Sequence, residues 1–253
     1  MPTSYQYSRP EAFGIDYENV YFDSSENHRL HAWHMKTKAK KVKGLVLFFH
    51  GNAQNLSSHA LSIQWITKYG YDVFIFDYRG YGLSQGTPNL EGVHQDGLHA
   101  FKKAKEIQKK RGAKKFVAMG QSLGGNILMQ TLPAHEESVD YVVLDSTFTS
   151  YKDIAFEKLK EVWFLWPVSP LAYVLVSDSH SPEDNIAKFK KPTLVIHSKA
   201  DQVIPYFMGE EIYNGLTMKE KKMWTLEKAP HISVYQVENK KYQRELVKLL
   251  DNL

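Results

Sequence analysis

The residues with the clearest potential for chemistry lie at positions 120–124, where the sequence reads Gly-Gln-Ser-Leu-Gly. The apolar run KFVAM precedes this motif and the apolar stretch NILMQTL follows it, so the pattern predicts a strand, a tight turn and a helix. Glycines two positions to either side of Ser122 let the strand and the helix approach closely. The serine hydroxyl would then stand at a helix N-terminus, which favours a developing anion. We therefore predict that Ser122 is a nucleophile.

A serine nucleophile needs a base to take its proton and an acid to orient that base. In a strand–turn–helix motif of this kind, the acid and then the base follow the serine along the chain. Asp201 follows the apolar run PTLVIHS, and His231 is the only histidine C-terminal to it. We predict Asp201 as the acid and His231 as the base. Asp145, at the end of the run YVVLDST, is an alternative acid.

Backbone N–H groups near the serine could hold the negative oxygen of a reaction intermediate. The loop His-Gly-Asn-Ala at 50–53 directly follows the apolar run GLVLFF. We predict that this loop supplies one donor, with the N–H of Asn52 preferred over that of Ala53. The second donor would be the N–H of Leu123, the residue after the nucleophile.

Metal and thiol chemistry find little support in the sequence. The chain has no cysteine, which excludes disulfides, a thiol nucleophile and Cys-ligated metals. His28, His31 and His34 are closely spaced, but on a strand His31 would face away from the other two. No His-Glu-x-x-His motif is present. We therefore expect no metal and no cofactor.

The elements that must position these residues form an alternating pattern. Short apolar runs typical of strands lie at 19–25, 29–36, 44–50, 73–79, 115–121, 141–147, 192–198 and 221–228. Helical spacing occurs at 57–69, 91–111, 124–132, 205–216 and 240–250. This pattern predicts an α/β fold with a mostly parallel sheet of about eight strands, the first two antiparallel to their neighbours, and helices on both faces. Ligands bind such sheets beyond the carboxyl ends of the strands.

A further apolar run, VWFLWPVSPLAYVLV at 162–176, is too short to span a membrane and contains two prolines. We expect one domain over residues 1–253 with a cap inserted at about 150–185. The cap would pack against the body and line a pocket for an apolar acyl group. The expected pocket residues are Trp163, Phe164, Trp166, Leu171 and Tyr173.

The charge balance gives no support for nucleic-acid binding, and we expect a small-molecule ester or acyl substrate. The formal net charge is only +4, from 32 basic and 28 acidic residues. The lysine-rich stretch at 102–115 has an apolar stripe, which favours a helix packed on the sheet with a solvated basic face. The N-terminal segment lacks the apolar core of a signal peptide. We expect a cytoplasmic protein, whereas a membrane-anchored or periplasmic location would require a leader or anchor beyond this sequence. The oligomeric state is not indicated.

Several strings together resemble the α/β-hydrolase superfamily: HGN at 50–52, DYRGYGLSQG at 77–86 and GQSLGG at 120–125, followed by the late Asp201 and His231. Within it, the chain is similar to the alpha/beta-hydrolase domain-containing serine hydrolases, which include depalmitoylating and lipid-cleaving members. The resemblance runs from about residue 17 to the C-terminus and implies an α/β-hydrolase fold. It also implies relatives that often carry an N-terminal anchor or leader.

The resemblance implies an esterase or thioesterase with the triad Ser122, Asp201 and His231. Combined with the apolar cap, it predicts cleavage of ester or thioester bonds of apolar acyl substrates through an acyl-enzyme. Two alternatives remain open: transfer of the acyl group to an alcohol by the same serine, and a non-catalytic scaffold that binds a lipid or a protein. The second is motivated by Pro230 and Ile232, which stand where such proteins often have Gly and Asn.

Overall fold

A single eight-stranded sheet organises the chain in a computed structural model that describes residues 3–253. The strand order is β1-β2-β4-β3-β5-β6-β7-β8. β2 pairs antiparallel with β1 and with β4, and the remaining pairs are parallel. The strands are β1 (Asp16–Asp23), β2 (Arg29–Lys36), β3 (Gly44–Phe49), β4 (Tyr71–Phe76), β5 (Lys115–Gln121), β6 (Tyr141–Asp145), β7 (Thr193–Ser198) and β8 (Lys221–Leu226). The predicted α/β architecture, with its antiparallel first strands, is confirmed.

Eight α-helices occur in the described part of the chain. They are α1 (Leu56–Ile63), α2 (Leu90–Arg111), α3 (Leu123–Thr131), α4 (Tyr151–Glu161), α5 (Ala172–Leu175), α6 (Glu183–Ile186), α7 (Tyr206–Gly215) and α8 (Lys241–Asp251). The helix predicted at 57–69 ends at Ile63 and continues as a 3₁₀ helix, Gln64–Tyr69. Helix α4 was not predicted from the sequence.

The sheet is covered on both faces, as the unbroken apolar runs predict. Leu45, Leu47 and Phe49 of β3 join a buried cluster with side chains of α2 and α3. The alternate residues Val46 and Phe48 join a second buried cluster with side chains of α1 and α8. Because both faces are packed, a ligand can approach the sheet only at the ends of its strands, and in sheets of this kind ligands bind at the carboxyl ends.

The connection between β6 and β7 carries α4, α5 and α6. Ser150 begins α4 by accepting a hydrogen bond from the Asp153 N–H at 3.0 Å, a standard N-cap. Helix α4 packs against α5 and against the 3₁₀ helix Trp166–Leu171. Across residues 3–253, no helix combines the length and the apolar character needed to cross a membrane.

Candidate active site

Ser122 occupies a strained turn between β5 and α3, with φ of 53° and ψ of −126°. Non-glycine residues rarely adopt this backbone conformation, and it persists only where the surroundings enforce it. The glycines of the motif provide the close packing: a Cβ on Gly124 would overlap the carbonyl oxygens of Phe49 and His50. A Cβ on Gly120 would lie 2.6 Å from the Cα of Gly125. The predicted strand–turn–helix geometry is therefore present at 120–124.

Hydrogen bonds from the neighbouring strand fix the strained serine. Its N–H donates to the carbonyl oxygen of Asp145, at the end of β6, over 2.9 Å. Its own carbonyl oxygen accepts from the Thr147 hydroxyl at 2.6 Å. Because both peptide groups of Ser122 are held, the direction of its side chain is set by the end of β6 as well as by β5.

Asp201 and His231 lie in contact after β7 and β8. His231 Nδ1 is 2.7 Å from Asp201 Oδ2, and the Asp201 side chain is fully buried. Asp201 Oδ1 accepts from the N–H groups of Val203 at 2.8 Å and Ile204 at 3.0 Å. Burial alone would raise the pKa of Asp201, but the His231 ring and these N–H donors hold it below its usual value. An ionised Asp201 fixes the tautomer of His231 with Nδ1 protonated, which leaves Nε2 free to accept a proton.

The loop that carries His231 is a turn closed by Ser233. The Ser233 N–H and hydroxyl both donate to the Pro230 carbonyl oxygen, at 3.3 and 2.7 Å. Ile232 has φ of 52°, a conformation unfavourable for a β-branched residue. Pro230 and Ile232, the two residues that depart from the family pattern, therefore shape the backbone of this turn. His231 nevertheless contacts Asp201.

The alternative acid, Asp145, has a different set of contacts. Its carboxylate accepts from Gln121 Nε2 at 2.7 Å and from the Ser146 hydroxyl at 3.1 Å. Complete burial raises its pKa to about 6, opposed by the hydrogen bond from Gln121. The structure thus places Asp201, rather than Asp145, in hydrogen-bond contact with His231.

A second histidine near Asp201 was not identified as a site residue from the sequence. His197, in β7, lies with Nε2 3.0 Å from the Ile204 carbonyl oxygen and 3.7 Å from Asp201 Oδ2. Burial lowers its pKa, so the ring is neutral and Nε2–H donates to the carbonyl. The only sequence signal was a histidine four residues before the predicted acid.

The loop predicted to hold the oxyanion lies beside Ser122. Asn52 Oδ1 accepts from the Tyr81 hydroxyl at 2.6 Å, and His59 Nε2 lies 3.0 Å from the Ala53 carbonyl oxygen. These contacts hold the loop from two sides. Leu123 is the first residue of α3, so its N–H belongs to the helix-terminal groups that have no partner within the helix.

A cavity of about 510 Å³ lies next to the nucleophile, the base and the loop predicted to hold the oxyanion. Its lining includes Ser122, His231 and the loop residues Gly51, Asn52 and Ala53. Most of the wall is apolar, from side chains of Leu123, Phe148, Ile154, Val203, Ile204 and Ile232, and the remaining lining residues are His59, Tyr151 and Lys158. The predicted nucleophile, base and oxyanion residues therefore share one cavity.

The expected acyl-pocket residues need correction, because none of the five lines this cavity. Trp163, Phe164, Trp166, Leu171 and Tyr173 are between 47% and 82% exposed. Helix α4 explains the difference: its side chains occupy the wall position, and the run at 162–176 packs on the outer side of this helix.

The three closely spaced histidines make separate contacts. His31 Nε2 lies 2.8 Å from Asn19 Oδ1, and His34 lies between Glu18 and Asp72. Among the residues that the structure describes, no group of three or more His, Asp or Glu side chains is arranged to hold a metal ion.

Comparison with known proteins identifies the family. The model described as serine aminopeptidase, S33, matches residues 40–185. The uncharacterized protein YfhR of Escherichia coli K12 is 32% identical over 226 residues, covering 86% of this chain and 74% of YfhR. The lysophosphatidylserine lipase ABHD12 of Xenopus tropicalis is 28% identical over 239 residues, covering 81% and 60% of the two chains.

A solved structure with a similar fold is the Pyrococcus furiosus esterase Pf2001, with a TM-score of 0.80 and 19% identity. The similarity covers 99% of this chain and 98% of the esterase. Together with the family match and the sheet topology, these findings identify the chain as a hydrolase that belongs to the α/β-hydrolase superfamily, in the family described as serine aminopeptidase, S33.

Proposed function

We propose that this protein is a serine hydrolase that cleaves ester or thioester bonds of apolar acyl substrates through an acyl-enzyme on Ser122. One observation carries the proposal: the Nδ1 of His231 is engaged by buried Asp201, while Ser122 and His231 line the same cavity. This is the arrangement that a serine nucleophile and its base require.

In the proposed first half-reaction, His231 Nε2 takes the proton of the Ser122 hydroxyl as Oγ bonds to the substrate carbonyl carbon. The carbonyl oxygen becomes negative and is held by the N–H of Leu123 and the N–H of Asn52 or Ala53. When the tetrahedral intermediate collapses, the bond to the alcohol or thiol breaks. His231 returns its proton to this leaving group, and the acyl group remains on Ser122.

In the second half-reaction, His231 takes a proton from water as the water oxygen attacks the acyl carbon. Collapse of the second intermediate releases the carboxylic acid, and the proton returns to Ser122 Oγ. Asp201 orients the ring and stabilises its charged form in both halves. The segment 150–185 would act as a cap, with α4 supplying Tyr151, Ile154 and Lys158 to the cavity wall.

The charge of the cavity favours an ester over the N-terminus of a peptide. An aminopeptidase must bind a substrate ammonium, and a carboxylate is the group suited to that task. The residues lining this cavity include no carboxylate, and the one lysine among them, Lys158, is paired with Glu161 at 2.7 Å. The lining therefore offers an ammonium group no carboxylate partner, while the apolar wall suits a hydrocarbon chain.

Turnover of p-nitrophenyl esters of increasing acyl length tests this function. We expect kcat/KM to rise about three- to fourfold per added methylene until the cavity is filled, since each buried CH₂ contributes about 0.8 kcal/mol. The Ser122→Ala variant should lose at least about three orders of magnitude in kcat. Faster turnover of an amino-acid p-nitroanilide than of any ester, or unchanged ester turnover in Ser122→Ala, would contradict the proposal.

A further inference from the structure

An uncharged apolar surface is exposed on residues 162–176, which we call the cap surface. Eight of its side chains are between 43% and 82% exposed: Trp163, Phe164, Trp166, Val168, Leu171, Tyr173, Val174 and Leu175. A fully exposed aromatic side chain presents about 150–250 Å², so its four aromatic residues, at 47% to 82% exposure, together present roughly 500 Å². The largest apolar patch on a typical monomer is about 300–600 Å², and such patches mark interaction sites. The cap surface is therefore large enough to be a docking surface.

The cap surface lies one helix away from the cavity of Ser122. The Phe156 ring of α4 packs on Tyr173, with the ring centroids 5.3 Å apart. The Tyr173 hydroxyl donates to Asp153 Oδ1 of the same helix at 3.0 Å. Ile154 and Lys158, also in α4, line the cavity. A partner on the cap surface would thus lie against the helix that forms the cavity wall.

The hydrogen-bonding groups of the cap surface are unsuited to a second copy of this chain. Protein interfaces form about one hydrogen bond per 100–200 Å². The Ser169 hydroxyl already donates to the Trp166 carbonyl oxygen, and the Tyr173 hydroxyl is engaged by Asp153. The side-chain groups that remain are the indole N–H donors of Trp163 and Trp166. In a two-fold contact these indole donors would meet no free side-chain acceptor, whereas lipid headgroups supply acceptors to indole rings at a membrane interface.

The charges around the cap surface identify the kind of lipid. Residues 162–176 carry no charge, and residues 150–186 contain three lysines and six carboxylates. Lys158 pairs with Glu161 at 2.7 Å and Lys160 with Glu157 at 3.0 Å. The segment therefore offers no excess of cations to attract anionic headgroups, and a zwitterionic surface avoids repulsion by its carboxylates.

We propose that the cap surface docks this protein onto a zwitterionic lipid surface. The most exposed side chains, Trp163, Val174 and Leu175, enter the boundary between headgroups and acyl chains. Docking itself does not involve Ser122. Delivery of acyl substrates from that surface to the cavity rests on the function proposed above.

Sedimentation with phosphatidylcholine vesicles tests the docking, using the Ser122→Ala chain to prevent turnover. We expect this chain to bind. The added substitutions Trp163→Ser, Val174→Ser and Leu175→Ser should lower its partition coefficient by at least about tenfold. A matched control carries Phe13→Ser, Leu83→Ser and Leu253→Ser, at apolar positions exposed outside the cap surface, and should change binding by less than about twofold.

Replacing half of the phosphatidylcholine with phosphatidylglycerol should not increase binding. Three results would each overturn the docking: no binding to phosphatidylcholine vesicles, equal binding of the cap variant and its parent, or binding only in the presence of the anionic lipid. Light scattering after size exclusion provides a fourth. A dimer that the cap substitutions convert to a monomer would assign the cap surface to self-association.

The same cap substitutions in the chain with Ser122 intact separate docking from catalysis. Turnover of a short, soluble p-nitrophenyl ester should stay within about twofold of the parent, which also shows that the variant folds. If the parent chain does not bind vesicles but its turnover depends on Ser122, the docking proposal alone is overturned. If the parent chain binds vesicles but turnover persists in the Ser122→Ala variant, the proposed function alone is overturned.

Discussion

Two histidines lie close to Asp201: His231 contacts its carboxylate directly, and His197 contacts the loop that carries it. His231 binds one carboxylate oxygen directly at 2.7 Å, whereas His197 donates to the Ile204 carbonyl oxygen at 3.0 Å. The N–H of Ile204 in turn donates to the other oxygen of Asp201. His197 therefore holds the loop in which Asp201 lies, and we regard it as a positioning residue.

Replacing His197 should affect the rate more than substrate binding. In His197→Phe, the hydrogen bond to Ile204 is lost and the acid loop can shift, so we expect kcat to fall about ten- to a hundredfold with KM nearly unchanged. His197→Gln keeps an N–H donor and should recover much of the rate. Steady-state kinetics on a short ester, with thermal unfolding as a control for folding, measure both. A parallel loss of stability and kcat in the two variants would contradict this role.

Asp145 makes stability depend on pH. Because burial raises its pKa to about 6, the folded chain retains a proton that the unfolded chain loses near pH 4. Its contribution to stability is therefore present below about pH 4 and is lost as the pH rises through 6. Asp145→Asn removes this loss and keeps an acceptor for Gln121. Relative to the parent, the free energy of unfolding of the variant should rise by roughly 2–3 kcal/mol between pH 4 and pH 7.5.

Denaturant unfolding at several pH values measures this difference. Asp16→Asn, at an exposed position, provides the matched control for an Asp-to-Asn substitution. A difference between Asp145→Asn and the parent that stays constant with pH, or that falls as the pH rises, would contradict the assigned environment of Asp145.

At the scale of elements, the contact between α3 and the end of β3 holds Ser122 in its strained conformation. A methyl group on Gly124 would overlap the carbonyl oxygens of Phe49 and His50, and backbone atoms cannot move aside cheaply. Gly124→Ala should therefore cost about 1–3 kcal/mol of stability. It should also lower kcat by at least about a hundredfold, because Ser122 would move relative to His231.

Gly215→Ala is the control for this substitution. Gly215 ends α7, and its added Cβ would approach only two side-chain carbons of Ile186, at 3.2 and 3.9 Å. We expect its stability and turnover to stay near those of the parent. Equal effects of the two substitutions would show that close approach at Gly124 does not position the nucleophile. Thermal unfolding and ester turnover give the comparison.

Helix α4 could not be predicted from the periodicity of its apolar residues. Ile154 lines the cavity whereas Phe156 packs on Tyr173, and none of the residues of this helix is fully buried. A helix shared between a cavity and an outer segment lacks the clear single-sided stripe that marks a helix on a sheet. The stronger apolar run at 162–176 therefore predicts the pocket wall, although tertiary packing places this run on the surface.

For the whole molecule, the fold could be predicted from the sequence, because the central strands are mainly apolar runs and the helices predicted between them have helical spacing. The positions of Ser122, Asp201 and His231 in the chain also predicted that they lie at one edge of the sheet. The contacts of His197 and Asp145 could not be predicted in this way. They depend on which side chains meet across β5, β6 and β7, which a single sequence does not encode as a pattern.

The most direct test of the central claim is labelling with a fluorophosphonate, followed by intact mass and peptide mapping. The account predicts one covalent adduct, located on Ser122. It also predicts a labelling rate that falls at least about a hundredfold in His231→Ala, since the serine would lose its base. An adduct on another residue, or undiminished labelling of the Ser122→Ala chain, would contradict the account.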